Sequence, residues 1–179
     1  MTGARRLTGH MRFVLAFVVL AALAPSAFAD VLKVGDRAAE LDVAVDGNDK
    51  PFKLKSMKGK WLLVTMGADW CAPCRKELPT WDKVAADVKG KVTFVAINVN
   101  NDKADGKKFN KKLKLANMTL VYMPEEKSSV APRYGAETMP STFLIDPQGV
   151  VRLVRAGFDE RDASGEAKKL KASIAKLVK

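Results

Sequence analysis

Histidine is almost absent from this chain of 179 residues: the only one, His10, lies within the first thirty positions. Beyond them, no imidazole is available for a Cys/His or Ser/His/Asp catalytic arrangement, or for a metal site that needs histidine. Cysteine is nearly as scarce, because the sequence contains two, which is too few for a disulfide framework. Stability must therefore come from a hydrophobic core, and covalent chemistry is restricted to one pair of thiols.

The sequence also lacks an uninterrupted apolar run of the roughly 20 residues that a transmembrane helix needs. Its apolar run from Phe13 to Ala24 follows three arginines and precedes Ala27-Phe28-Ala29, an order typical of a secretory signal peptide. We predict a signal peptide over residues 1–29, cleaved after Ala29, and one domain over residues 30–179. The mature protein is then exported to the periplasm or another extracytoplasmic space; an uncleaved membrane anchor is the alternative.

Acidic residues are fewer than basic ones, 20 against 31, which gives a net charge of +11. Residues 1–29 hold three arginines and no acidic residue, so residues 30–179 carry 28 basic and 20 acidic residues and a charge of +8. The lysines are scattered from Lys33 to Lys179 along predicted helices, which indicates a solvated surface rather than a nucleic-acid site. No nucleic-acid partner is expected, and attraction to acidic proteins or to a membrane surface is a secondary effect.

Apolar patterns predict alternating strands and helices. Continuous apolar runs predict buried strands, and apolar residues at helical spacing predict helices. The expected elements are strands at Leu41–Val45, Trp61–Met66, Val92–Val99 and Thr119–Tyr122, helices at Cys74–Lys89, Asp102–Leu115, Glu125–Tyr134 and Arg161–Lys179, and a hairpin of Ser141–Ile145 with Val150–Val154. This order implies an α/β fold with a mixed central β-sheet and helices on both faces.

The two cysteines lie in the motif Trp70-Cys71-Ala72-Pro73-Cys74, between a predicted strand and a predicted helix. A thiolate is the attacking species in disulfide exchange, and the amino end of a helix lowers the pKa of a cysteine placed there. We predict that Cys71 is the nucleophile and that the more buried Cys74, one turn further on, resolves the mixed disulfide. Pro73 makes the turn between them rigid. The Cys71–Cys74 pair is itself the redox centre, so no cofactor is expected.

Two other uses of the cysteine pair are open. One is an inert structural disulfide, although a bridge that closes so small a loop constrains little unfolded-chain entropy. The other is Cu(I) binding, since paired thiolates suit that ion, whereas zinc usually needs further cysteine or histidine ligands that this sequence lacks. A Cu(I)-binding metallochaperone is therefore the alternative function.

The sequence resembles the thioredoxin superfamily and, within it, the exported TlpA/ResA-like thiol-disulfide oxidoreductases. The resemblance rests on Trp70 to Pro79, on Tyr134 to Asp146, and on Val34 to Ala38 with Leu54 to Lys60, which is similar to an N-terminal extension that plain thioredoxins lack. It implies a thioredoxin-like fold that carries this extension. It also implies a cis Met139-Pro140 bond, which the local sequence alone leaves open between cis and trans.

The resemblance further implies supporting roles around the cysteines for Trp70, Pro73 and Glu77, and for Met139 and Pro140, which pack beside the pair. In relatives with the same Cys-x-Pro-Cys-x-x-Glu pattern the glutamate influences the thiols and proton transfer. The alternative for Glu77 is a plain acid in the first turn of a helix, stabilised by the helix dipole. Plain thioredoxins have a buried aspartate where this chain has Thr65, so their proton relay cannot be carried over.

The activity implied by the resemblance is that of a thiol-disulfide oxidoreductase acting on disulfide-containing substrate proteins. Pro73 favours reduction over oxidation, and a reductant in an oxidising compartment needs a membrane thiol-disulfide electron donor. Cytochrome c maturation is the implied pathway, and a monomer is expected. A peroxidase is disfavoured, because Ala68 stands where peroxiredoxins have threonine.

Overall fold

The centre of the computed structural model, which describes residues 30–178, is a six-stranded sheet in the order β1-β4-β3-β2-β5-β6. The strands are β1 (Val45–Asp46), β2 (Trp61–Gly67), β3 (Val92–Asn98), β4 (Thr119–Tyr122), β5 (Ser141–Ile145) and β6 (Val151–Ala156). The α-helices are α1 (Cys74–Asp87), α2 (Lys103–Leu113) and α3 (Ala163–Leu177). The predicted mixed sheet is confirmed, since β2 and β4 each pair in parallel with β3, and β5 pairs antiparallel with β2 and β6.

The pairing of β2 with β5 determines where the site lies. Because the two strands are antiparallel, the carboxyl end of β2 and the amino end of β5 meet at one edge of the sheet. The cysteine motif follows β2, and Met139-Pro140 immediately precedes β5. Two motifs almost seventy residues apart in the sequence are therefore brought to the same edge.

Side chains of the buried strands alternate between two hydrophobic clusters, one on each face of the sheet. Leu63, Phe94 and Leu144 pack with residues of all three α-helices. The opposite face is covered by the segment that precedes β1, which contributes Leu32 and Leu41, and by short 3₁₀ helices. The prediction of helices on both faces is thus confirmed, with the α-helices on one face and the 3₁₀ helices on the other.

The strand predicted at Leu41–Val45 is wrong over most of its length, because only Val45–Asp46 pairs with the sheet. Val43 has a φ of 40°, which interrupts an extended strand. The carboxylate of Asp42 instead accepts hydrogen bonds from the hydroxyl groups of Ser128 and Ser129. This segment is held by side-chain contacts, and alternating hydrophobicity cannot reveal them.

The helix predicted at Glu125–Tyr134 is also wrong. The structure has two separate 3₁₀ turns, Glu125–Lys127 and Pro132–Tyr134, with Ser128 in an extended conformation between them. A proline lacks the N–H that a continuous helix would use, which separates the second turn from the first.

No helix within residues 30–178 is long and apolar enough to cross a membrane. The predicted signal peptide, residues 1–29, lies outside the described residues.

Candidate active site

The two cysteines form a disulfide at the amino end of α1, with their Cα atoms 5.3 Å apart. The turn after β2 is closed by the Cys71 N–H, which donates to the carbonyl of Ala68. Cys74 is the first residue of α1 and is fully buried, whereas 5% of Cys71 is exposed. The predicted order of burial is confirmed, and Cys71 is the residue closer to the surface.

The residues next to the cysteines differ in exposure. Trp70 is an exposed large hydrophobic residue, 59% accessible, although most aromatic side chains of a domain are buried. Pro73 occupies the N-cap position of α1. The Arg75 guanidinium donates to the backbone carbonyl of Asp69 over 2.7 Å, which ties the turn before the cysteines to the first turn of the helix.

The Met139-Pro140 bond is cis, as the resemblance predicts. Met139 is half-buried and packs against the hydrophobic cluster that contains Cys71 and Cys74. Pro140 is buried, and its carbonyl accepts a hydrogen bond from Gly157. The structure thus brings Met139 to the cluster that contains the cysteine pair and places Pro140 next to it in the chain, immediately before β5 begins.

Glu77 is buried, with 1% of its surface exposed. Its Oε2 accepts a hydrogen bond from the Thr65 hydroxyl over 3.0 Å, and its Oε1 accepts one from the Thr142 hydroxyl over 2.9 Å. The two hydroxyl oxygens are themselves 3.0 Å apart. Burial raises the pKa of Glu77 to about 7. The hydrogen bonds from the two threonines lower this pKa, but by less than burial raises it. Glu77 therefore changes its charge near neutral pH.

The hydrogen-bonded triangle of Glu77, Thr65 and Thr142 can accommodate a proton on the Glu77 carboxylate. Two hydroxyl hydrogens serve three oxygen–oxygen contacts when Glu77 is ionised. A protonated Glu77 adds a third hydrogen, so that carboxyl, Thr65 and Thr142 form a closed ring in which every group donates once. The geometry thus accommodates the neutral carboxyl without leaving a buried oxygen unpaired.

The surroundings of this triangle include two residues that the sequence did not single out. The Trp81 indole N–H donates to the Thr142 hydroxyl over 3.1 Å. Arg155, which lies opposite Thr142 in the β5–β6 ladder, has its guanidinium 5.9 Å from the centre of the Trp81 ring and forms an ion pair with the buried Glu166. The positive charge of Arg155 also lowers the pKa of Glu77, but less than burial raises it.

The positions of Thr65 and Thr142 in the sequence could have indicated that they have a buried polar partner. Each is a polar residue within a strand whose neighbours are buried and mostly apolar. A hydroxyl in such a position needs a hydrogen-bond partner. The two residues face each other across β2 and β5, a pairing that only the fold provides.

Metal binding finds no further support here. Within residues 30–178 no group of three or more His, Cys, Asp or Glu side chains could hold a metal ion. Copper binding by the reduced cysteine pair alone stays a hypothesis.

Comparisons with known proteins agree with this geometry. The model of the AhpC/TSA family matches residues 34–154. The chain is 29% identical to thiol-disulfide oxidoreductase ResA of Geobacillus thermodenitrificans over 154 residues, which covers 82% of this chain and 86% of the relative. It is 33% identical to ResA of Bacillus subtilis over 116 residues, 64% of this chain and 63% of the relative.

A solved structure is similar as well. A Chlorobium tepidum protein assigned as a thiol:disulfide interchange protein DsbE matches with a TM-score of 0.66 and 29% identity. The match covers 80% of this chain and 99% of that chain.

Proposed function

The chain belongs to the AhpC/TSA family and is a thioredoxin-like thiol-disulfide oxidoreductase, and we propose that it reduces protein disulfides outside the cytoplasm. The observation that carries the proposal is the Cys71–Cys74 pair at the amino end of α1. The free N–H groups there favour a thiolate on Cys71, the more exposed of the two sulfur-bearing residues.

The reaction is a pair of thiol–disulfide exchanges. The Cys71 thiolate attacks one sulfur of the substrate disulfide, that S–S bond breaks, and the other substrate sulfur leaves as a thiolate that takes up a proton. Cys74 then loses its proton and attacks Cys71, which releases the second substrate thiol. Two electrons pass to the substrate, and the protein ends with the Cys71–Cys74 disulfide. A membrane thiol-disulfide electron donor then reduces this disulfide by the same chemistry.

Glu77 is proposed as the base for the second exchange. It lies three residues after Cys74 in α1, on the same side of the helix, and both residues are buried. A pKa of about 7 suits a group that must accept a proton near neutral pH. The proton taken from Cys74 completes the hydrogen-bonded ring with Thr65 and Thr142. Trp70, Pro73, Met139 and Pro140 support the pair by shaping the surface on which the substrate lies.

Export is proposed from the pattern of residues 1–29. When the full chain is expressed in a bacterium that has a periplasm, we expect the periplasmic protein to begin at Asp30, because the small residues before it suit signal peptidase. Mass spectrometry of the periplasmic fraction measures this directly. A full-length chain that stays with the membranes would instead indicate an uncleaved anchor.

Reduction, rather than oxidation, is proposed from Pro73, and cytochrome c maturation from the resemblance to TlpA/ResA-like proteins. We expect a reduction potential near that of thioredoxin, about −270 mV, and reduction of an oxidised Cys-x-x-Cys-His peptide, the haem-attachment sequence of c-type cytochromes. The potential is measured by equilibration with a dithiol buffer, and peptide reduction by mass spectrometry. A potential near about −120 mV would indicate an oxidant.

The same peptide tests the pathway separately from the activity. If the reduced protein reduces a generic disulfide peptide at the same rate as the Cys-x-x-Cys-His peptide, the assignment to cytochrome c maturation loses its support while the reductase function stands. A preference for the haem-attachment peptide supports both.

A further inference from the structure

A cleft of about 290 Å³ lies beside the cysteine motif, between the amino end of α1 and α2. Its walls include Asp69 and Arg75, which precede and follow the cysteines in the sequence, and Lys108 and Lys112 from α2. The buried ring of Phe109 provides an apolar surface. Because Asp69 lies in the turn before Cys71 and Arg75 in the first turn of the helix after it, the cleft is near enough for residues that neighbour the attacked cysteine of a substrate to reach it.

The acidic and basic side chains that line the cleft differ in the partners they have. The Asp69 carboxylate already accepts a hydrogen bond from the Asn100 side chain over 2.5 Å. The other acid, Asp105, lies in the first turn of α2, where the helix dipole stabilises negative charge. Within residues 30–178, by contrast, the ion pairs closer than 4.0 Å include none with Arg75, Lys108 or Lys112. Three cations thus face the cleft without a carboxylate partner.

The two lysines are placed to act together. Lys108 and Lys112 are four residues apart and therefore lie on the same side of α2, and both are exposed. Lys103 and Lys107 of the same helix pair with Asp49 instead. Two lysines of α2 therefore form ion pairs within the protein, whereas Lys108 and Lys112 line the cleft without such a pair.

We propose that this cleft binds an acidic side chain of the substrate protein, close in sequence to the cysteine that Cys71 attacks. The inference rests on the reductase function proposed above and names the substrate class: a disulfide flanked by aspartate or glutamate. The exposed Trp70 provides an apolar contact for the same segment. The net charge of +8 on residues 30–179 attracts acidic partners at long range, and the cleft selects among them at contact.

The test compares three disulfide peptides of equal length, whose cysteine pair is flanked by aspartate, lysine or serine. In the double variant Lys108→Glu/Lys112→Glu, the ratio of kcat/KM for the aspartate peptide to that for the serine peptide should fall about tenfold at low salt. The ratio for the lysine peptide should rise. Both changes should shrink at high salt, because the charges are exposed.

The matched control is Lys111→Glu/Lys168→Glu, which changes the net charge equally at exposed positions that do not line the cleft. We expect this control to keep the peptide ratios of the unaltered protein. An equal fall in the control would mean that net charge alone is responsible and would overturn the inference, as would unchanged ratios in the cleft variant. If the unaltered protein reduces none of the peptides, the reductase function itself fails.

Discussion

Replacing Cys71 by serine should lower the rate of substrate-disulfide reduction by at least about 10³-fold, because Cys74, the other cysteine of the pair, is fully buried and out of reach of a substrate disulfide. A serine hydroxyl is close in size to the thiol but is no nucleophile toward disulfides at neutral pH. The fold should persist, because serine is close in size to cysteine and the lost disulfide closes a loop too small to add much stability. The measurement is single-turnover reduction of a disulfide peptide, with circular dichroism to confirm folding.

Cys74→Ser is the matched variant and should fail at a different step. Cys71 still attacks, but nothing resolves the intermediate, so a covalent complex between protein and peptide should accumulate and be visible by mass spectrometry. Cys71→Ser should form no such complex through Cys74, which is fully buried. Activity retained in Cys71→Ser and lost in Cys74→Ser would reverse the proposed roles.

Replacing Glu77 by glutamine should slow the release of substrate from the mixed disulfide by about 10²-fold at pH 7, the lower range for loss of a general base. Glutamine keeps the size of the side chain and can complete the ring by donating to one threonine and accepting from the other. It cannot accept a proton from Cys74. In the unaltered protein the release rate should rise with pH through about 7, where Glu77 ionises, and the variant should lack this rise.

The same substitution should change the pH dependence of stability. The pKa of Glu77 is about 7 in the folded protein against 4.5 in the unfolded chain, so the folded state holds its proton more strongly. The destabilisation is absent below pH 4.5, grows between pH 4.5 and 7, and is complete above pH 7. It amounts to about 3 kcal/mol, because one pKa unit corresponds to about 1.4 kcal/mol.

Glu77→Gln removes this ionisation. The unfolding free energy of the variant, relative to that of the unaltered protein, should therefore increase by about 3 kcal/mol between pH 4.5 and pH 8. Urea unfolding of the oxidised proteins across that range provides the measurement, and the exposed Glu126→Gln is the control that should show no such change. A constant difference across the range would mean that the pKa of Glu77 is not raised in the folded protein, and the carboxylate would then be too weak a base for its proposed role.

Much of the fold was predictable, because β2, β3 and the three α-helices carry their burial pattern in contiguous residues. Trp61 to Met66 is apolar nearly throughout, and α1 repeats Leu78, Trp81 and Ala85 at helical spacing. Prediction was wrong where side chains hold the backbone. The Asp42 carboxylate accepts hydrogen bonds from Ser128 and Ser129, and the hydrophobic pattern of neither segment predicts this contact.

The spacing of the cysteines indicated the pair, and the resemblance to a known family indicated its neighbours and the candidate Glu77. The sequence could not decide between two interpretations of Glu77, an ordinary acid in the first turn of a helix or a group that acts on the thiols. The distinction depends on whether water or protein surrounds the carboxylate. Thr142, 65 residues further along the chain, and Thr65, twelve residues before it, become its partners only when β5 pairs with β2.

By itself, the sequence restricted covalent chemistry to one pair of thiols at the start of a helix, with no histidine beyond residue 10. It also determined the strands and helices whose apolar periods are local. The tertiary structure decided the environment of that chemistry, namely the burial of Glu77 against Thr65 and Thr142 and the cleft between α1 and α2 that Arg75, Lys108 and Lys112 line. The physical reason is that desolvation and charge pairing depend on groups that are close in space, and the pairing of β2 with β5 and the packing of α2 bring together residues that are distant in the chain.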